Sequence, residues 1–335
     1  MAGPIRFRHS EQSWNTARVD ELLLTPLDEQ FGAKRVDPWF VPPSTYAACR
    51  LEMDNGDRAL FAWREDGDGA YWLGNTETPR SLWKTEKYTF EEVPYPVARW
   101  AQRELLAELE ASDPWLAAYD HLAWFFLPVF FSKDGKETTR SFFGNHDAGF
   151  PDADSKAALS FYEELLSPGI LDAHRYVTAT KLGTSEQLDL VRMRASMAEL
   201  HAAKLLADAG HEFTPEVELD SGYALDFRVH DPERLVEVTR PEPPARRRAG
   251  TPAAALRETA GGKVDTQLAA HPDAVLLVDC SSFRDDEWRA IRAEQPDVGH
   301  EPAAVYRMRP DRPPEGYARG SVPFAFGFRD RNGPG

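Results

Sequence analysis

Ala224-Leu225-Asp226-Phe227-Arg228-Val229, followed after a short turn by Leu235-Val236-Glu237-Val238-Thr239, is the stretch that decides the fold of this chain. Both segments are rich in β-formers and alternate, so each reads as a strand. In the first, Leu225, Phe227 and Val229 share one face and Asp226 takes the other; in the second, Glu237 shares a face with Leu235 and Thr239. Two adjacent antiparallel strands then bring two carboxylates side by side, which is costly unless a cation neutralises them. A hard divalent ion such as Mg²⁺ suits such a site, because it takes carboxylate oxygens and keeps several waters.

Reading outward, Phe213–Leu219 is a preceding strand. Before it, a long helix starts at Ser185 with Gln187–Asp189, carries apolar residues at Leu188, Val191, Ala195, Ala198, Ala202, Leu205, Leu206 and Ala209, and stops at Gly210. It contains Glu199. Downstream, helical sequence follows Thr251-Pro252, breaks at Gly261-Gly262 and resumes through Ala270. Ala274–Cys280 (AVLLVDC) is a continuous apolar run, the mark of a strand covered on both faces. Asp285–Glu294 is a further helix and Ala304–Met308 a last short strand. The order is α-β-β-β-α-β, with a right-handed crossover between the third and fourth strands.

The earlier half reads differently. It opens with polar, Pro-punctuated sequence; Tyr46–Met53 and Arg58–Arg64 flank Asn55-Gly56, a strong hairpin signal, and another strand falls near Ala70–Leu73. Pro96–Glu110 has helical spacing. A helix starts at Pro114 and is ended or kinked by Pro128, Phe142–Asp154 is a loop, and Ser155 caps a helix over Ala157–Leu166. Trp14, Trp39 and Trp83 are candidates for a binding surface, and Phe324–Phe328 reads as an edge strand or a docking tail. The character changes near residue 183. The expected organisation is an α+β N-terminal domain over 1–183, of no legible role, and an α/β domain with a mixed sheet flanked by helices over 184–335.

Composition narrows the function. Lys plus Arg number 39 and Asp plus Glu 55, a formal charge of −16, so the chain as a whole is no polyanion binder. Nine lysines stand against thirty arginines, a balance suited to a salt-rich cytosol or to a GC-rich genome. The exception is Pro241–Lys263, where Arg246, Arg247, Arg248, Arg257 and Lys263 face only Glu242 and Glu258. Arg246-Arg247-Arg248 reads as a phosphate-contacting patch for DNA or RNA, or as a loop paired with the acidic surface. Cys49 and Cys280 are far apart, so no zinc site or disulfide framework is indicated. The longest apolar run, Leu122–Phe131, is half of the roughly 20 residues a membrane helix needs. With no apolar leader at Met1, the expected compartment is the cytoplasm, without a membrane partner. Gly144-Asn145-His146-Asp147 spells a metallophosphoesterase block but lacks its upstream partners.

The α-β-β-β-α-β order, with Glu199 in the first helix, Asp226 in the second strand and Glu237-Val238-Thr239 in the third, resembles the PD-(D/E)XK nuclease superfamily over roughly Ser185–Cys280. The chain is also similar to an uncharacterised family of halophilic archaea. The nuclease resemblance implies a nuclease-like C-terminal fold and Mg²⁺- (or Mn²⁺-) dependent hydrolysis of DNA or RNA phosphodiester bonds, with Asp226 and Glu237 as metal ligands and Glu199 assisting. Thr239 stands where the family places its lysine. The family sometimes moves that lysine to the following helix, where this chain has Lys263, with Gln267 one turn later on the same face. The alternative is a catalytically inactive nuclease-like fold serving as a nucleic-acid-binding or assembly module.

Overall fold

The computed structural model describes residues 3–82, 86–183, 187–244 and 250–328. It is mixed α/β with two six-stranded sheets. Its compact units are Met1–Thr139 with Gly183–Glu186, and Arg140–Leu182 with Gln187–Gly335. They divide earlier than the change in sequence character at 183/184. The reason is aromatic packing: Phe150, Phe161 and Tyr162 surround the ring of His201 at centroid distances of 5.2, 5.6 and 5.7 Å, which ties residues 140–182 to the later unit.

In the first unit, β1 (Phe7–Ser13) precedes α1 (Thr16–Val19) and α2 (Thr25–Phe31), then come β2 (Lys34–Val36), β3 (Tyr46–Glu52), β4 (Arg58–Arg64), β5 (Asp68–Gly74) and β6 (Lys87–Tyr88). The sheet runs β2-β3-β4-β5-β1-β6. β3 and β4 pair antiparallel around Asn55-Gly56, whose glycine sits at φ +83°, a conformation open to Gly at little cost. β1 falls where polar, Pro-punctuated sequence was expected. It inserts between β5 and β6, burying Phe7 and Ser10, and Ser10 Oγ accepts from Trp14 Nε1 at 3.0 Å. Trp14 is thus core, Trp39 lies against the Arg50 guanidinium at 3.9 Å, and Trp83 lies outside the described residues. α3 (Tyr95–Ser112) and α4 (Asp120–Phe130) follow; α4 runs two residues past Pro128, with Val129 and Phe130 fully buried.

α5 (Lys136–Asn145) occupies the start of the expected 142–154 loop, because Phe142 and Phe143 are fully buried and pack edge to face. The cap of α6 (Ser155–Leu166) is Asp154 rather than Ser155: its carboxylate accepts from Ala157 N at 3.1 Å. α7 (Arg175–Leu182) and α8 (Leu190–Asp208) come next. Asp189 caps α8, and Gly210 at φ +83° ends it, with His211 N reaching back to Leu206 O. The second sheet holds β7 (Phe213–Glu218), β8 (Ala224–His230), β9 (Glu233–Thr239), β10 (Val275–Asp279), β11 (Ala303–Arg309) and β12 (Arg312–Arg319) in the order β12-β11-β10-β9-β8-β7. β7–β8 and β8–β9 are antiparallel and β9–β10–β11 parallel.

The crossover helix α9 (Pro252–Lys263) is capped by Thr251 and passes through Gly261-Gly262 without the expected break. Buried Ala253, Ala255, Leu256 and Ala260 hold it, which outweighs the weak propensity of two glycines near its end. A π-helical turn, Val264–Leu268, follows, then α10 (Asp285–Glu294). β12 was missed because Pro313-Pro314 reads as loop; on an edge strand the missing donors cost little. Phe324–Phe328 forms no strand. Phe324 and Phe326 are buried, Phe324 against His211 at 4.9 Å. No helix among the described residues is long and apolar enough to cross a membrane.

Candidate metal centre

Register assembles the site. The β7–β8 ladder pairs Pro215 with Phe227 and Val217 with Leu225, which sets Glu216 opposite Asp226. The β8–β9 ladder ends at Phe227 and Val236; one step further sets Asp226 opposite Glu237. There the strands part, and the Val238 N–H donates to Asp226 Oδ2 at 2.7 Å instead of to a strand carbonyl. Three neighbouring strands therefore offer a carboxylate each at one level, and α8 adds Glu199. Oxygens of Glu199, Glu216 and Asp226 lie within 4.8 Å of one another, near the span of about 4–5 Å between opposite oxygen ligands of one hard cation.

Two ammonium groups reach this cluster. Lys181, in the last turn of α7, places Nζ 2.5 Å from Glu199 Oε2 and 3.9 Å from Asp226 Oδ1, and contacts Glu216 Oε1. Lys263, at the end of α9, donates to Glu237 Oε1 at 2.5 Å. Glu237 is 2% exposed, and its other oxygen, Oε2, is buried without a hydrogen-bond partner. Glu216 holds φ +55° within a strand, a strained conformation for a residue with a Cβ.

Four carboxylates against two ammonium groups leave a formal charge of −2, which one divalent cation or two protons offset. Burial, then the neighbouring Asp226 charge, pushes Glu199 and Glu237 up to about 7. Burial raises Asp226 as well, against the pull of Lys181 and the Val238 N–H. Burial works against the charge on Lys263, but Glu237, Asp226 and Glu199 outweigh it and hold the ammonium protonated. The donor set is all oxygen and anionic, with one buried carboxylate oxygen unsatisfied, which fits Mg²⁺ or Mn²⁺ better than a softer metal.

Of the residues singled out in the sequence, Glu199, Asp226, Glu237 and Lys263 come together. Gln267 does not join them by any hydrogen bond of its own: the π-helical turn after Lys263 breaks the simple one-turn spacing, and its amide oxygen accepts from the Thr266 hydroxyl. Thr239 is buried at the end of β9. Arg246, Arg247 and Arg248 lie outside the described residues. In the GNHD block, Asp147 accepts from the Ser155 hydroxyl and Asn145 donates to Ser141, which is turn and helix-end chemistry. Glu216 and Lys181 were not anticipated. Glu216 was findable, as the β7 residue that falls opposite Asp226 once the register is drawn; Lys181 carried no signal, since nothing in its spacing relates it to the strands.

A model of a family of unknown function (DUF5784) matches residues 2–326. No curated protein and no solved structure matches the chain.

Proposed function

The chain belongs to the DUF5784 family, a family of unknown function, and we propose from its own geometry that the later unit hydrolyses phosphodiester bonds of DNA or RNA with Mg²⁺ or Mn²⁺. The observation that carries this reading is the Lys263–Glu237 pair set beside the carboxylates of Asp226, Glu199 and Glu216 where β8 and β9 part. The strand and helix order around it, α8-β7-β8-β9-α9-β10 with β9 and β10 parallel, supports the resemblance to PD-(D/E)XK nucleases.

On this reading Asp226, Glu199 and Glu216 hold the cation, and Glu237 completes the anionic wall. A bound divalent cation supplies Lewis-acid polarisation of a phosphate and lowers the pKa of water. Lys263 stands in for the lysine that Thr239 replaces. Its ammonium is compact, stays protonated, and is anchored through Glu237 at the mouth of the crossover helix, where it stabilises charge building on a phosphate. Arg246-Arg247-Arg248 supplies phosphate contacts. The acid-rich, lysine-poor composition agrees with a high-salt setting, in which direct contacts outlast long-range steering.

The test is incubation of single- and double-stranded DNA and RNA with the protein in Mg²⁺ or Mn²⁺. Lys263→Ala is expected to lower cleavage by about a hundredfold while leaving nucleic-acid affinity nearly unchanged. Unaltered turnover removes Lys263 from the mechanism. Buried Thr239 favours a second reading, a catalytically inactive nuclease-like module, and binding without cleavage under either metal selects it. Replacing Arg246, Arg247 and Arg248 together by Ala is expected to weaken nucleic-acid binding and flatten its salt dependence, with metal affinity unchanged. Binding equal to wild type across a salt series assigns the contact to another surface.

A further inference from the structure

Lys181 touches the same three carboxylates whose oxygens cluster closely enough to hold a metal: Glu199 at 2.5 Å, Asp226 at 3.9 Å, and Glu216. An ammonium with three donors spread over three carboxylates stands where a small cation would bind. The cluster is nonetheless short of positive charge, and Glu237 Oε2, buried and without a partner beside it, marks a missing ligand. Lys181 comes from the last turn of α7, which contributes no other residue to the cluster, and its side chain keeps 24% of its surface exposed, a route to solvent. The residue type matters. Lysine is a compact point charge on a flexible four-carbon stem and can withdraw into water, whereas an arginine fork fixed on these oxygens could not do so as readily.

We propose that Lys181 is a built-in cation plug: its ammonium occupies the carboxylate site in the metal-free protein, and a divalent metal enters by displacing it. This rests on the reading of the cluster as a metal site. Two consequences follow from charge and mass action. The plug keeps the carboxylates neutralised when metal is scarce, so the β7–β8–β9 edge stays folded. It also weakens metal binding in proportion to the fraction of molecules whose site is open.

Two measurements on the full-length chain test this. Calorimetric titration with Mn²⁺ is expected to give Lys181→Met an affinity about tenfold tighter than wild type, or more, because both the competitor and its repulsion are gone. In wild type, acetylation of Lys181 by an N-hydroxysuccinimide ester, read by peptide mass spectrometry, is expected to rise several-fold on saturation with Mg²⁺. Lys34, 76% exposed at its side chain, serves as the unchanging control. The labelling arm needs no variant, so it decides the matter if Lys181→Met folds poorly. Wild type that binds Mn²⁺ while Lys181→Met binds no tighter, or Lys181 labelling that stays level with Mg²⁺, overturns the plug and leaves the metal site standing. Absence of Mn²⁺ binding in both proteins at millimolar concentration overturns the plug and the metal site together.

Discussion

Asp226→Asn is expected to abolish the stabilisation that Mg²⁺ or Mn²⁺ confers on the wild-type protein, and with it any hydrolysis. By mass action a metal at one hundred times its dissociation constant adds about 2.7 kcal/mol to a protein that binds it only when folded. The substitution keeps the size of the side chain and an oxygen to accept from Val238 N. It also removes one charge from a cluster that is already overcharged, so metal-free stability is expected to change little. What it takes away is the central carboxylate, opposite Glu216 on one side and Glu237 on the other. Thermal scans with and without metal make the check. An equal rise in both proteins places the metal elsewhere and removes Asp226 from the site.

The legible parts of this molecule are those in which local pattern and tertiary environment agree. β8 alternates because one of its faces packs against apolar neighbours, and β10 runs apolar from Val275 to Val278 because all five of its residues, its final Asp279 included, are buried; β9 is buried on both faces from Val236 on. Asn55-Gly56 set a hairpin by backbone conformation alone. The parts that escaped are settled by partners distant in sequence. Thr214, Glu216 and Glu218 look like the wet face of an edge strand, and all three are exposed; Glu216 differs only through what α7, α8 and β8 bring to it. Val191 keeps the helical period of α8 yet is exposed, and Leu188 lies ahead of the Asp189 cap, so the helix starts at Leu190 rather than at the expected Ser185; Arg194, Ser196 and His201 of the same helix are buried. A single-stripe reading misses this because α8 is enclosed on several sides, by β9, β10 and the 140–182 segment, and its buried polar groups are paired there.

That enclosure gives the second large prediction. Asp279 ends β10 and is fully buried; His201 Nδ1 lies 2.8 Å from its Oδ2, Ser281 N donates to its Oδ1 at 2.8 Å, and Arg240 Nη1 is 3.5 Å away. Burial alone would raise this carboxyl, but Arg240, then His201 and Ser281, pull it down to about 2. Arg240 donates hydrogen bonds to Ser282 Oγ, Arg194 O and Gly149 O, all uncharged acceptors. Asp279→Asn therefore takes away the carboxylate that contacts a buried guanidinium and leaves it only Glu242, reached across Ser282 Oγ and already paired with Arg194; such a loss costs about 3–5 kcal/mol, a large share of the 5–15 kcal/mol that ordinarily separates folded from unfolded. A carboxyl whose folded pKa lies below its ordinary value stabilises the fold at pH above about 4, and that contribution fades as pH falls toward 2. Urea unfolding is expected to show the variant's deficit at pH 7, and its acid limb between pH 4 and 2 is expected to be flatter than that of wild type. A variant within about 1 kcal/mol of wild type would mean that Arg240 finds its compensation elsewhere. The position of this network carries the effect to the site: His201 is two residues beyond Glu199 on α8, and Arg240 three beyond Glu237. The polar core thus fixes the helix and the strand that present two of the four carboxylates, and a shift of either element in Asp279→Asn is expected to appear as weaker Mn²⁺ binding by the fraction that remains folded.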